Sequence, residues 1–179
     1  MPRIARTLAL LTLAALTLHA STASRAQDDG AHTYDLTTVQ STIDALYDVI
    51  SGPAGHPRDW DAFRSLFAQD AHLRTIALTQ DGKPSLRTMS VEDYIQGAGG
   101  FFESNAFFES ELLSTSDSFG HIAHVFSTYE ARRSPDDEPF TRGINSIQLY
   151  TDGTRWYIVS ILWDTERAAQ PIPEDYLPS

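Results

Sequence analysis

There is no cysteine among the 179 residues. A disulfide framework and a lipid anchor on an N-terminal cysteine are therefore excluded. Positive charge is scarce: 13 Lys and Arg stand against 24 Asp and Glu, a formal net charge of −11. Nucleic acid and anionic membrane surfaces both need a basic footprint, so neither is an expected partner. Glycine-rich phosphate loops, nucleophile elbows and His-Glu zinc motifs are absent from the sequence, and no metal or cofactor is expected. No apolar run reaches the roughly 20 residues that span a bilayer, so no membrane anchor is expected.

The longest apolar run, Leu8 to Leu18, is preceded by Arg3 and Arg6 and followed by the small residues Ala20 to Ala26. This order of positive, apolar and small-residue regions reads as a cleavable signal peptide over 1–26, with the cut after Ala26. Arg3 and Arg6 are not adjacent, so the twin-arginine signal is missing. Cleavage would remove three basic residues and no acidic one, leaving 153 residues at −14. That is one domain's worth of chain, exported to the periplasm or beyond. Residues 27–35 (QDDGAHTYD) carry no periodicity and read as a disordered segment.

The remainder divides into a helical first third and a strand-rich rest. Val39, Ile43, Leu46, Tyr47 and Ile50 recur at helical spacing behind the candidate caps Thr37 and Thr38, and Gly52-Pro53 ends the run. Asp59 can cap a second helix bearing Trp60, Phe63, Leu66 and Phe67 on one face. His72 to Leu78 and Leu86 to Met89 read as a strand pair around the turn Asp81-Gly82-Lys83-Pro84. Ser90 and Asp93 form a capping box for a third helix with Val91, Tyr94, Ile95, Ala98, Phe101 and Phe102 on its stripe. Gly97, Gly99 and Gly100 weaken that helix, and close packing or a bend is the expected reason. Period-two patterns then predict strands over 107–115, 119–133, 141–151 and 155–163, in an antiparallel meander. The tail 165–179 shows no periodicity.

Both faces of the last strand are apolar, with Trp156, Ile158 and Leu162 on one and Tyr157, Val159, Ile161 and Trp163 on the other. One face can pack on the helices, and a second copy of the chain is the expected cover for the other, which predicts a homodimer through the sheet.

The run Arg58 to Ala71 (RDWDAFRSLFAQDA), the segment Phe119 to Ala123 (FGHIA) and Asp152 to Ile161 (DGTRWYIVSI) resemble the nuclear transport factor 2-like superfamily in its SnoaL-like branch. The resemblance spans residues 36–164. It implies an α+β fold in which three helices pack in a strongly curved antiparallel sheet, a cone-shaped α+β barrel with a mostly apolar pocket at its open end. Relatives similar to ketosteroid isomerase carry a catalytic carboxylate on the first strand, where this chain has Thr75. Those similar to scytalone dehydratase carry a Tyr-Asp pair on helix one, matched by Tyr47-Asp48.

Three functions follow as expectations. In the first, the cone binds a small apolar or aromatic molecule, with Trp60, Thr75, Asn145 and Trp163 as ligand-binding candidates. In the second, a cofactor-free lyase or isomerase works through Asp48, Tyr47 and His124. The third is a structural or regulatory partner-binding protein. His121 and His124 lie an odd number apart on a strand and cannot share a metal. Glu109 and Glu111 share a face and read as a solvated edge.

Overall fold

A computed structural model describes residues 33–179; the signal segment and its cleavage point lie outside the described residues. Helix α1 (Val39–Ile50) starts at Thr38, whose side chain and Ser41 cap each other reciprocally. Its buried stripe is Ile43, Leu46, Tyr47 and Ile50. The chain leaves α1 through a loop organised by Arg58, which is only 7% exposed. The guanidinium donates to the carbonyls of Ile50 (2.8 Å), Gly52 (2.8 Å) and His56 (2.7 Å) and lies 4.8 Å over the Phe102 ring. A buried cation is tolerated where its donors are satisfied in this way.

Asp59 caps α2 (Trp60–Ser65) as expected, but the helix ends before Leu66 and Phe67. Phe67 opens strand β1 (Phe67–Leu78), five residues earlier than the period-two pattern predicts. The early part of β1 is irregular: the register against its neighbour shifts between Phe67 and His72, and Asp70 adopts a positive φ of 62°. A bulge with a left-handed aspartate hides a strand from a simple alternation test. Strand β2 (Pro84–Ser90) pairs with β1 around the expected turn. Helix α3 (Val91–Ser104) then starts from the Ser90–Asp93 capping box.

Strands β3 (Phe108–Phe119), β4 (Ile122–Arg132), β5 (Thr141–Thr151) and β6 (Trp156–Thr165) form the predicted meander. The full order is β2-β1-β6-β5-β4-β3, a curved six-stranded sheet with the three helices packed against it. Two expectations need correction. The sheet is mixed, because β1 lies parallel to β6. It is also unclosed: β2 and β3 are its edges, so the molecule is a curved sheet and not a barrel. A parallel pair needs a long crossover, and the stretch from β2 through β5 supplies it.

The core gathers α1, α2 and the concave face, with Ile43, Phe63, Leu66, Val125, Ile147, Leu149 and Ile158 almost wholly buried. The three glycines of α3 are not sites of close packing, as a Cβ at any of them would meet nothing within 4 Å. The tail runs back to the sheet, where the Thr128 hydroxyl donates to the Tyr176 carbonyl (2.8 Å) and the Phe126 and Tyr176 rings lie 5.2 Å apart. Ile172 is buried there, so part of the outer face is covered by the chain itself. Among the described residues, no helix is long and apolar enough to cross a membrane.

Candidate functional site

The concave face is not filled by side chains. A cavity of about 230 Å³ lies between the helices and the sheet. Leu46, Tyr47 and Ile50 of α1, Phe63 of α2 and Tyr94 of α3 line one side. Leu73, Phe107, Glu109, Tyr129, Thr141, Asn145, Ile161, Trp163 and Thr165 line the sheet side. The wall is mostly apolar and aromatic, with a few polar groups that converge, which is the usual composition of a small-molecule site.

Strand register sets these directions. In β4, Val125, Ser127, Tyr129 and Ala131 point inward, and Glu109 and Glu111 of β3 pair with Ala131 and Tyr129. The two glutamates share a face, as expected, but it is the concave face and not a solvated edge. Gly143 makes room for Tyr129: a Cβ there would collide with the Asp164 carbonyl and lie 2.6 Å from the Tyr129 hydroxyl.

Behind the cavity runs a chain of hydrogen bonds with a defined direction. Ser127 Oγ donates to Glu111 Oε2 (2.5 Å), which uses the only proton of that hydroxyl. Tyr47 Oη, 2.7 Å from Ser127 Oγ, must then donate to it, and it accepts from Asn145 Nδ2 at 3.0 Å. Ser114 Oγ and Gln40 Nε2 complete the shell of Glu111 at 2.9 and 3.1 Å. The Tyr47 proton is thus committed to Ser127 and faces away from the cavity.

Glu109 differs from Glu111. Burial beside the aromatic wall pushes its carboxyl up to about 8, against a weaker opposing pull from the Asn145 side chain. Burial, with the Glu109 charge behind it, also raises the phenols of Tyr47 and Tyr94, and Tyr129 is pushed up to about 12, chiefly by burial. At neutral pH the cavity therefore presents the neutral phenols of Tyr94 and Tyr129 and a largely protonated carboxyl. Such a carboxyl can donate to a ligand oxygen, or take a proton once ionised.

The structure brings together only some of the residues singled out from sequence. Tyr47, Asn145 and Trp163 line the cavity. Thr75 pairs with Trp163 on the same face but is not part of the wall. Trp60 packs edge-on against Phe63 (5.7 Å) and stacks over Phe102 (6.1 Å), between α2 and α3. Asp48 lies on the exposed side of α1 and accepts from Tyr34 Oη at 2.7 Å. His124 points to the outer face, with Nε2 3.1 Å from Ser146 Oγ. Asp48, Tyr47 and His124 therefore do not form one catalytic group. Glu109, Tyr94 and Tyr129 were not singled out; the signal for Glu109 was its alternation with Phe107, which places it on the apolar face. Among the described residues, no three His, Asp or Glu side chains converge on a metal position.

No protein-family model matches the chain, and no curated protein matches it. Solved structures do. A protein of unknown function with a cystatin-like fold from Nostoc punctiforme aligns at TM-score 0.55 and 12% identity, over 75% of this chain and 97% of its own. A nuclear transport factor 2-like protein of unknown function from Pseudomonas putida aligns at 0.55 and 11%, over 78% and 94%. A candidate ketosteroid isomerase from Parabacteroides distasonis aligns at 0.52 and 11%, over 75% and 97%. At these identities the likeness is one of fold, and the fold of this chain is the nuclear transport factor 2-like fold.

Proposed function

We propose that the protein binds a small, mostly apolar or aromatic molecule in the concave cavity, with Glu109 and the neighbouring phenols as its polar anchor. The observation that carries this reading is the lining of the recess: about 230 Å³, open to solvent at one end, walled by aromatic and apolar side chains of the helices and the sheet with Glu109, Asn145 and the phenols converging on it. A mostly apolar recess with a few converging polar groups is the usual form of a small-molecule site. The test is to purify the protein from its host without denaturation and analyse it by native mass spectrometry, together with thermal melts against a panel of bicyclic aromatic compounds. A co-purifying molecule, or saturable stabilisation by one of the panel, supports the reading. A chain that arrives empty and is stabilised by none contradicts it.

A second reading, a cofactor-free isomerase or lyase, is favoured by the raised Glu109 carboxyl, which is suited to proton transfer near neutral pH. It predicts that Glu109→Gln abolishes turnover while ligand binding survives.

The proposal extends to the setting of the protein. The segment 1–26 directs export, and the acidic domain works outside the cytoplasm. Two copies pair through the outer face of the sheet, where Val159 and Leu162 remain 41% and 40% exposed. Because the tail covers the face near Phe126, the pairing surface is narrower than the full strand set.

A further inference from the structure

Phe107 belongs to two clusters at once. It lines the cavity, and its ring also touches Phe101 (6.1 Å) and Phe140 (6.1 Å), both of which are exposed. These rings carry a cation. The Arg133 guanidinium lies 4.0 Å over Phe140 and 5.4 Å from the Phe101 ring centre, and its Nη1 donates to the Ala106 carbonyl at 3.0 Å. Ala106 directly precedes Phe107, and Phe140 directly precedes Thr141, another wall residue. Arg133 is thus held one residue from the cavity wall on two sides.

Its charge is unusual in its surroundings. Among the described residues, five of the ten Lys and Arg side chains are ion-paired and Arg133 is one of the five that are not; what sets it apart is its seat on the Phe140 and Phe101 rings beside the cavity wall. In a chain of net charge −11, an exposed arginine fixed on aromatic faces beside a cavity is a local positive feature. A planar guanidinium with spare donors suits a carboxylate, and stacking on two rings lowers the entropy lost in presenting it.

We infer that the cavity takes an aromatic carboxylate, whose ring enters between Phe107 and Trp163 and whose carboxylate stays at the rim on Arg133. This rests on the small-molecule reading above and adds the ligand's charge and direction. Glu109, largely protonated at neutral pH, leaves the interior without a competing negative charge, so the two ends of the site fit one amphipathic molecule.

The test is isothermal titration calorimetry of the full chain with 2-naphthoate and its neutral analogue 2-naphthamide at neutral pH and low salt. The wild type is expected to bind the naphthoate about tenfold more tightly than the amide, a preference that fades with added salt. Arg133→Gln should bring that ratio to about one, with the naphthoate losing far more affinity than the amide, and Arg133→Lys should restore part of it. Equal binding of both probes by the wild type, or an unchanged ratio in Arg133→Gln, overturns the inference and leaves the binding reading standing. Binding of neither probe also overturns the inference, whereas the binding reading falls only if the native chain arrives empty and the wider panel fails as well.

Discussion

Glu109 is the residue on which the site's chemistry turns. Burial pushes its folded carboxyl up to about 8, well above the ordinary glutamate value of about 4.3. The folded state therefore holds an extra proton between these limits, and its stability falls as pH rises from about 4 toward 8. Thermal melts of the wild type and Glu109→Gln across pH 4 to 9 should show this: the variant lacks that decline and melts higher at the alkaline end by roughly 3 °C or more. Parallel curves would place Glu109 in water. Tyr47 supplies a second expectation, since its hydroxyl joins Asn145 to Ser127. Tyr47→Phe leaves buried partners unsatisfied and should cost about 1–3 kcal/mol in urea unfolding. At this scale the sequence was only half legible. Tyr47 was recognisable through the family resemblance, and Asn145 and Trp163 as a polar and an aromatic strand residue able to face the cone, but an acidic residue on a strand reads as solvated unless the face it shares with Phe107 is known to be concave.

At the scale of elements, two glycine contexts give opposite expectations. Gly143 sits where β4, β5 and β6 meet, with no space for a Cβ between Tyr129 and the Asp164 carbonyl. Gly143→Ala should destabilise by about 1–3 kcal/mol, as overpacking does, and also disturb the Tyr129 wall. Gly97 lies in α3 with open space around it, so Gly97→Ala should stabilise by about 0.5–1 kcal/mol. Chemical denaturation of both variants checks the contrast, which reverses if the helix bends at Gly97 in solution. The Ser90 capping box and the caps at Thr38 and Asp59 were readable because caps act locally. Strand faces were not, because they depend on bulges. In β6 the pairing with β5 slips between Ile158 and Ser160, leaving Val159 as the extra residue. Ile158 and Ile161 are both buried as a result, although strict alternation assigns them to opposite faces.

At the scale of the whole molecule, the order of helices and strands carried the fold, and pairing between distant strands did not show. Nothing local in Phe67–Leu78 specifies a parallel partner ninety residues away. The tail likewise lacked any periodicity, because it is held by single contacts of Ile172 and Tyr176 and not by a repeating face. It covers part of the outer sheet and leaves Val159 and Leu162 exposed there, the side chains on which the proposed pairing rests. Sedimentation equilibrium should give the mass of two chains, falling to one in Leu162→Glu; a single-chain mass for the wild type would end the dimer proposal.

The proposed ligand site is the concave cavity and not the outer face. Amide and indole NMR shifts of the labelled chain on addition of 2-naphthoate distinguish the two. Saturable shifts are expected on Tyr94, Glu109, Tyr129, Asn145, Ile161 and the Trp163 indole. Shifts gathered instead on Phe126, Leu162 and Ile172 of the outer face, or no saturable shifts at all, would contradict this placement.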